Sequence, residues 1–166
     1  MIVVVADSSP LNYLTLLGSV DVLHHLYGRI LVPEQVVREL SDRAAPDEVR
    51  RCAQTLPDWV EIRITAPTDD PKLLHLDPGE RAAIMLAQSE SGALLLIDDA
   101  AGRVEASRRG LLNTGTLGVL RAAALKGLVD LPSALARLLE SNFRVSGALV
   151  DDLLAEEAER RRRPAE

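Results

Sequence analysis

The sequence has few of the features that mark secreted or membrane-spanning proteins. It contains a single cysteine, Cys52, which excludes an internal disulfide and a zinc site built from several cysteines. Its longest apolar runs, such as residues 93–97, are far shorter than the ~20 residues that a membrane-spanning helix needs. The start of the chain also lacks the basic and apolar segments of a secretion signal. We therefore expect a cytoplasmic protein with no membrane partner.

Aromatic residues and positive charge are also scarce. Aromatic side chains make up 2% of the chain, so base stacking on aromatic platforms is expected to be unimportant in any nucleic-acid binding. The formal net charge is −6, which argues against a protein that holds nucleic acid mainly through a basic surface. A few arginines or a bound metal can still supply local phosphate contacts, so bulk charge leaves the partner open.

The apolar segments predict strands that alternate with helices. A chain of 166 residues with 47% apolar composition buries one ordinary core, so residues 1–166 are expected to form a single domain. Strands are predicted at residues 2–6, 29–32, 59–64, 93–97 and 111–115. Three closing helices are predicted at 116–127, 132–142 and 146–163, with a charged C-terminal segment at about 146–166. The alternation indicates an α/β fold with a mainly parallel sheet and helices on both faces.

Three acids follow directly after predicted buried strands. Asp7 ends the first strand, and Asp98 and Asp99 follow the run at 93–97. Right-handed connections bring the carboxyl ends of parallel strands to one edge of a sheet, where such folds bind ligands. Asp98 or Asp99 also fits the N-cap of the next helix, which is the commoner role for an acid there. A purely structural role is harder to assign to Asp7, since Ser8 and Ser9 already supply caps and an idle buried carboxylate is costly.

Two further acids are candidates because of their positions on predicted helices. Glu80 lies on the apolar side of its helix, which is an unusual place for a charge. The sequence DPGE at residues 77–80 is also a capping-box pattern with Asp77 as the cap, so both interpretations of Glu80 stay open. Glu39 falls on the flank of its apolar stripe, where it reaches the edge of a cleft or remains a solvated surface residue.

Carboxylates gathered at one sheet edge require a compensating charge. They repel one another and raise one another's pKa unless a divalent cation binds between them. Mg²⁺ and Mn²⁺ prefer hard oxygen ligands, and Mg²⁺ usually keeps several waters, which leaves room for a phosphate. The sequence therefore predicts a site for Mg²⁺ or Mn²⁺.

Five segments in order also resemble the PIN-domain family, over nearly the whole chain: Asp7 followed by SSPLNYL, then LVPEQVVREL, LDPGERAAIMLA, LLLIDDAAGRVEASRRGL and NTGTLGVL. The sequence is most similar to a branch related to the toxins of VapBC-type toxin–antitoxin modules. The resemblance implies a three-layer α/β/α sandwich with a mainly parallel central sheet. It also implies an acidic pocket in which Mg²⁺ or Mn²⁺ supports hydrolysis of phosphodiester bonds, usually in RNA.

The resemblance also assigns roles to individual positions. It implies that the catalytic acids are Asp7, Glu39, Glu80 and Asp99, and that the metal ligands are Asp7, Glu80 and either Asp98 or Asp99. The residues expected to contact substrate are Ser8, Thr114, Thr116 and Arg103. The two threonines also fit a tight strand-to-helix turn with Thr116 as its cap. Many of the related toxins have an aspartate in place of Glu80 and a Thr-Arg-Asp or Thr-Asn-Asp turn in place of residues 97–99.

These observations favour a metal-dependent ribonuclease, and two other classes remain as alternatives. A phosphotransfer or receiver protein also places aspartates at strand ends, but position 9 is a serine where haloacid-dehalogenase-like enzymes have a second aspartate. A non-catalytic interaction module of the same fold is the stronger rival, since the charged C-terminal segment also suits a protein partner. The resemblance implies an RNA substrate, a homodimer and an antitoxin partner.

Overall fold

A five-stranded parallel sheet forms the centre of the fold in the computed structural model, which describes residues 2–163. Its strands lie in the order β3-β2-β1-β4-β5, and each neighbouring pair is parallel. All residues of β1 and β2 are buried, as expected for strands covered on both faces. The strands are β1 Val4–Ala6, β2 Ile30–Pro33, β3 Val60–Arg63, β4 Leu94–Leu96 and β5 Leu112–Thr114.

Helices connect the strands and follow the last of them. Those of the described residues are α1 Ser8–Leu16, α2 Val22–Tyr27, α3 Glu34–Leu40, α4 Asp47–Gln54, α5 Pro78–Ser89, α6 Ala100–Arg108, α7 Thr116–Leu125, α8 Leu131–Glu140 and α9 Gly147–Arg162. The chain leaves β1 toward β2 and β3 on one side, and returns to β4 and β5 on the other. Right-handed connections in the two directions place helices on both faces of the sheet, and α3 and α5 also contact each other. The predicted three-layer α/β/α fold is therefore confirmed.

The core beside the sheet is built from small and branched apolar residues. A capping box at Asp77 and Pro78 at the first position begin α5, which buries six residues against the sheet. Alanines on α5 let the helix approach the strands closely, while Ile84, Leu95 and Ile97 fill the space between them. Aromatic residues are not needed for this packing, which explains how a chain with 2% aromatic residues forms a dense core.

The chain divides into two compact units between Val119 and Leu120. The first contains the whole sheet and α1–α6, and the second contains α8 and α9. Within the second unit, the buried Glu157 accepts hydrogen bonds from Arg160 and Arg161. Arg161 also pairs with Asp130, so these arginines of the predicted charged segment form ion pairs within the second unit. Residues 164–166 of that segment lie outside the described residues. That residues 1–166 form one domain stays a prediction.

The order of the strands creates a crevice at one edge of the sheet. The direction in which the chain adds strands reverses between β1 and β4, and parallel α/β sheets bind ligands beyond the carboxyl ends of their strands at such a point. Asp7 immediately follows β1, and Asp98 lies two residues after β4. The fold therefore brings the predicted acids to this crevice. Among the described residues, no helix combines the length and hydropathy that a bilayer span requires.

Candidate metal centre

Asp7 is a buried acid at the end of β1. Its backbone N–H donates to the carbonyl of Leu96 at 2.9 Å, which fixes the residue between β1 and β4. The residue is 2% exposed, and its Oδ1 has no hydrogen-bond partner in the described part of the chain. Burial raises the pKa of the Asp7 carboxyl well above its ordinary value, and the nearby Asp77, Glu80 and Glu39 raise it further. A buried, unpartnered carboxylate oxygen is costly unless a ligand satisfies it.

Glu39 approaches Asp7 from α3 and is held from two sides. Its Oε2 accepts the hydroxyl of Ser8 at 2.9 Å, and its Oε1 accepts the backbone N–H of Gly79 at 2.8 Å. Burial raises the pKa of this half-buried carboxyl, and Asp77 adds to the increase, while the hydrogen bonds oppose it. The side chain therefore links the start of α1 to the start of α5 and has a fixed orientation.

Asp77 completes a group of three acids. One carboxylate oxygen from each of Asp7, Glu39 and Asp77 lies within 4.8 Å of the other two. Asp77 is exposed, and its Oδ1 also accepts the backbone N–H of Glu80 at 2.9 Å. Three carboxylate groups, one of them buried with an unpartnered oxygen, form a donor set suited to a hard divalent cation.

The sequence indicated Asp77 only as the cap of α5, and its place among the three acids was missed. A capping residue lies at the first turn of its helix, and α5 begins at the same sheet edge as Asp7. The sequence feature that would have indicated Asp77 is therefore the turn DPGE at residues 77–80, because it places two acids at the start of α5. Only the packing of α3 against α5 shows that this end meets Glu39.

Glu80 combines the two roles that the sequence left open, a part in the capping box and a position near the other acids. It forms the capping box, since its Oε2 accepts the backbone N–H of Asp77 at 3.1 Å. It also contacts the acid group through Asp77. Burial and the charges of Asp77 and Asp99 raise its pKa to about 7. The structure thus brings Glu80 to the site, and its predicted part in catalysis and metal binding stays a prediction.

Asp98 and Asp99 differ in their surroundings. Asp98 accepts three hydrogen bonds, from the hydroxyl of Ser9 at 2.8 Å and from the backbone N–H and hydroxyl of Thr116 at 2.7 Å each. Asp99 caps α6 by accepting the backbone N–H of Gly102 at 2.8 Å, and its charge acts on Glu80. Asp98 therefore joins the starts of α1 and α7 to the end of β4, while Asp99 caps α6 and adds to the raised pKa of Glu80.

The residues predicted to contact substrate occupy different positions around the site. The hydroxyl of Ser8 donates to Glu39, and that of the fully buried Thr116 donates to Asp98, so both orient acids. Thr114 is half-buried at the end of β5. Arg103 is exposed on α6 close to Gly115, and its guanidinium forms no ion pair within residues 2–163.

One glycine controls the position of Glu39, and its replacement by alanine is expected to weaken metal binding selectively. A Cβ at Gly79 would overlap the Glu39 carboxylate, so Gly79→Ala would displace this flexible side chain without breaking α5. We expect the free energy of unfolding to change by less than about 1 kcal/mol, while Mn²⁺ affinity falls by roughly 10–100-fold. Calorimetric titration and thermal denaturation measure the two effects.

Gly147→Ala is the matched control for this experiment. Gly147 lies at the start of α9, and a Cβ there meets no atom within 4 Å. This variant should bind Mn²⁺ as the wild type does. Equal Mn²⁺ affinity in Gly79→Ala and the wild type would show that the position of Glu39 does not matter for binding.

The fold and the site together define a parallel α/β protein with a carboxylate centre suited to a divalent cation. The chain belongs to the PIN-domain family: the family model DUF3368, described as a PIN domain, matches residues 3–159. This finding confirms the family that the sequence motifs indicated. PIN domains are generally nucleases with acidic, metal-binding residues.

Other comparisons add little to this assignment. A solved structure of a PilT N-terminus domain protein from the hyperthermophilic archaeon Sulfolobus solfataricus P2 has 18% sequence identity and a TM-score of 0.48. The match covers 88% of this chain and 100% of that chain. A comparison with curated proteins gives no match.

Proposed function

We propose that this protein is an Mg²⁺- or Mn²⁺-dependent nuclease that hydrolyses phosphodiester bonds in RNA. The observation that supports it most strongly is the buried, unpartnered Oδ1 of Asp7, in a group of three carboxylates whose oxygens lie within 4.8 Å. Membership of a family that generally comprises nucleases gives the class of reaction. RNA as the substrate and the choice of metal rest on the resemblance of the sequence motifs.

The residues present fit a divalent cation. Asp7, Glu39 and Asp77 would hold it through oxygen atoms, which are the ligands that Mg²⁺ and Mn²⁺ prefer. When bound, such a cation supplies a water of lowered pKa and neutralises negative charge at a phosphate. Burial is the main cause of the raised pKa of Asp7 and Glu39, and nearby acids add to it, so both carboxyls would ionise more readily beside a positive charge.

The chain's own residues orient the acids and exchange a proton. Ser8 and Gly79 fix both oxygens of Glu39, so this carboxylate needs little reorganisation when substrate binds. In the metal-free protein, burial and the charges of Asp77 and Asp99 raise the pKa of Glu80 to about 7, a value suited to proton exchange near neutral pH. Because its Oε2 accepts the Asp77 N–H, Oε1 is the atom we assign to that exchange.

Water is the proposed nucleophile because the nearby serine hydroxyls are already used. The Ser8 hydroxyl donates to Glu39 and the Ser9 hydroxyl donates to Asp98. Neither serine contacts a histidine that would act as a base. Direct attack of water on the phosphodiester, without a covalent enzyme intermediate, is therefore the simplest reaction that these groups support.

The finer proposal is a VapC-like toxin nuclease that acts in the cytoplasm as a homodimer and is inhibited by an antitoxin protein. It is supported by the five sequence motifs, which extend from residue 7 to residue 120. The proposal predicts a partner whose side chains cover the acid group. Co-expression of the chain with the product of a neighbouring gene tests it, since a true antitoxin would suppress cleavage by the purified complex.

Cleavage of a single-stranded RNA pool tests the nuclease proposal. We expect cleavage by the wild type with Mn²⁺ or Mg²⁺, none with a chelator, and a decrease of roughly 100-fold in Glu39→Gln, which loses a ligand charge. Glu61→Gln is the control, because Glu61 lies on β3 and pairs with Arg29 and Arg63 away from the acid group. Mn²⁺ binding without cleavage of any RNA or DNA would favour the non-catalytic interaction module.

A further inference from the structure

A pocket of about 250 Å³ is lined by residues of α3, of α5 and of the segment 65–68. Two of its lining residues are sequence neighbours of the acid group: Arg38 precedes Glu39, and Pro78 follows Asp77. The residues that matter for its chemistry are Glu34, Arg38, Thr65, Thr68, Arg81 and Met85. An RNA strand bound at the acid group would therefore be able to place a neighbouring nucleotide in this pocket.

The pocket combines two guanidinium groups with one carboxylate. Arg38 is 65% exposed and pairs with Glu34 at 2.9 Å; exposed pairs of this kind contribute little and exchange readily for another anion. Arg81 is half-buried, and within residues 2–163 its guanidinium has no ion pair or hydrogen bond. Two arginines against one carboxylate leave the pocket with one excess positive charge in a chain of net charge −6, which favours an anion as its ligand. Arginine suits phosphate because its planar fork donates two hydrogen bonds.

The rest of the lining fits a nucleotide backbone. Thr65 and Thr68 supply hydroxyl groups, and the Thr68 oxygen accepts the backbone N–H of Asp70, which leaves its hydroxyl hydrogen to donate. Met85 gives an apolar surface for a sugar. The volume is below the roughly 300–1,000 Å³ of pockets that enclose a drug-sized ligand, so a single phosphate with its sugar is the appropriate occupant.

We infer that Arg38 and Arg81 bind a backbone phosphate of the RNA strand, outside the phosphodiester that is cleaved. This inference rests on the proposed nuclease function and specifies its substrate class. The enzyme acts on a polynucleotide that extends past the cleavage position toward α3 and α5. It has no need of base-specific contacts in this pocket, because phosphate contacts position a strand without reading its sequence.

The test compares Arg38→Gln, Arg81→Gln and the double variant with a matched control. Arg29→Gln serves as that control, because Arg29 is also 65% exposed and also forms an exposed pair, with Glu61 at 3.2 Å. It precedes β2 and therefore lies at the opposite end of the sheet from the acid group. Thermal denaturation verifies that each variant is folded, and Arg81→Lys retains the charge where Arg81→Gln removes it.

The first measurement is binding of a labelled single-stranded RNA by fluorescence anisotropy, in a chelator and over a range of KCl concentrations. Each lost phosphate contact reduces the slope of log K against log salt by about 0.7 for single strands. We expect the slope to decrease by about 0.7, for the one phosphate that the two arginines share, and the affinity of the double variant to be at least tenfold weaker. Arg29→Gln should retain the wild-type slope, and Arg81→Lys should retain most of it.

The second measurement separates this subsite from the chemistry. With Mn²⁺, the double variant should have a raised KM for RNA and unchanged hydrolysis of bis(4-nitrophenyl) phosphate, which has no neighbouring nucleotide phosphate to bind in the pocket. If the wild type binds RNA with the expected slope but cleaves neither substrate, the nuclease proposal fails and the subsite stands. If the double variant keeps the wild-type slope and KM while Glu39→Gln loses cleavage, the subsite is overturned and the nuclease stands. Failure of the wild type to bind RNA at any salt concentration overturns the subsite in favour of an acidic protein partner.

Discussion

In the absence of metal, Asp7→Asn is expected to unfold at a higher temperature than the wild type at pH 7. The wild-type carboxyl is 2% exposed, has an unpartnered Oδ1 and lies near three other acids. Replacing it by a neutral amide of the same shape removes the buried charge and the repulsion. The gain should be roughly 1–3 kcal/mol, because each unit by which burial and nearby acids raise the native pKa of a carboxyl costs about 1.4 kcal/mol once it ionises. Thermal denaturation in EDTA measures it.

The pH dependence of this difference follows from the raised pKa of Asp7. The native state retains the proton to a higher pH than the unfolded chain, in which the carboxyl titrates near 3.8. Stability of the metal-free wild type should therefore fall as pH rises above about 4 and continue to fall through the raised native pKa. Asp7→Asn lacks this contribution, so its stability curve should be flatter over the same range.

Addition of Mn²⁺ should reverse the order of the two proteins. A ligand that binds only the native state stabilises it by about 2.7 kcal/mol at a concentration 100 times its Kd. The wild type should gain this stability, while Asp7→Asn should gain little because it has lost the negative charge of the buried carboxylate. If Asp7→Asn is the less stable protein in EDTA, Asp7 has a structural role that the burial of its charge does not explain.

Asp98→Ala is expected to cause the largest loss of stability among the acids of the site, about 2–4 kcal/mol. The change removes three hydrogen bonds to a charged acceptor and leaves the buried N–H and hydroxyl of Thr116 without their partner. Since Asp98 joins the end of β4 to α1 and α7, no neighbouring residue replaces it. Urea denaturation measures the free energy of unfolding.

Asp99→Ala provides the comparison for that experiment. Its carboxylate accepts one backbone N–H, from Gly102, as an exposed helix cap, so its loss should cost about 1 kcal/mol. Equal losses in the two variants would refute the structural role assigned to Asp98. Retained Mn²⁺ affinity in folded Asp98→Ala would agree with the assignment, because Asp98 is absent from the group of three acids.

The strands and the crevice were predictable because both follow from local patterns. Short β-branched runs such as residues 2–6 form strands when they are covered on both faces, and parallel strands place the residues that follow them at one edge. Asp7, Asp98 and Asp99 reached the crevice for this reason. Glu80 was identified by its position on the apolar side of a helix, and the structure places it beside Asp77 and Asp99.

The rest of the site depends on contacts between distant segments. The Glu39 carboxylate meets Gly79 across 40 residues of sequence, and this contact brings Asp77 into the acid group. The distinction between Asp98 and Asp99 likewise depends on Thr116, which is 18 residues from Asp98. Neither contact has a local signal, because adjacent acids after a strand look alike until their hydrogen-bond donors are known. Arg38 and Arg81 form one pocket only because α3 packs on α5.

Titration of Mn²⁺ into the wild type and Asp7→Asn by isothermal calorimetry tests the central claim most directly. The claim is that Asp7, Glu39 and Asp77 hold a divalent cation. We predict saturable binding by the wild type and loss of that binding in a folded Asp7→Asn variant. Equal binding by both proteins, or no binding by either, would contradict the assignment of this acid group as a metal centre.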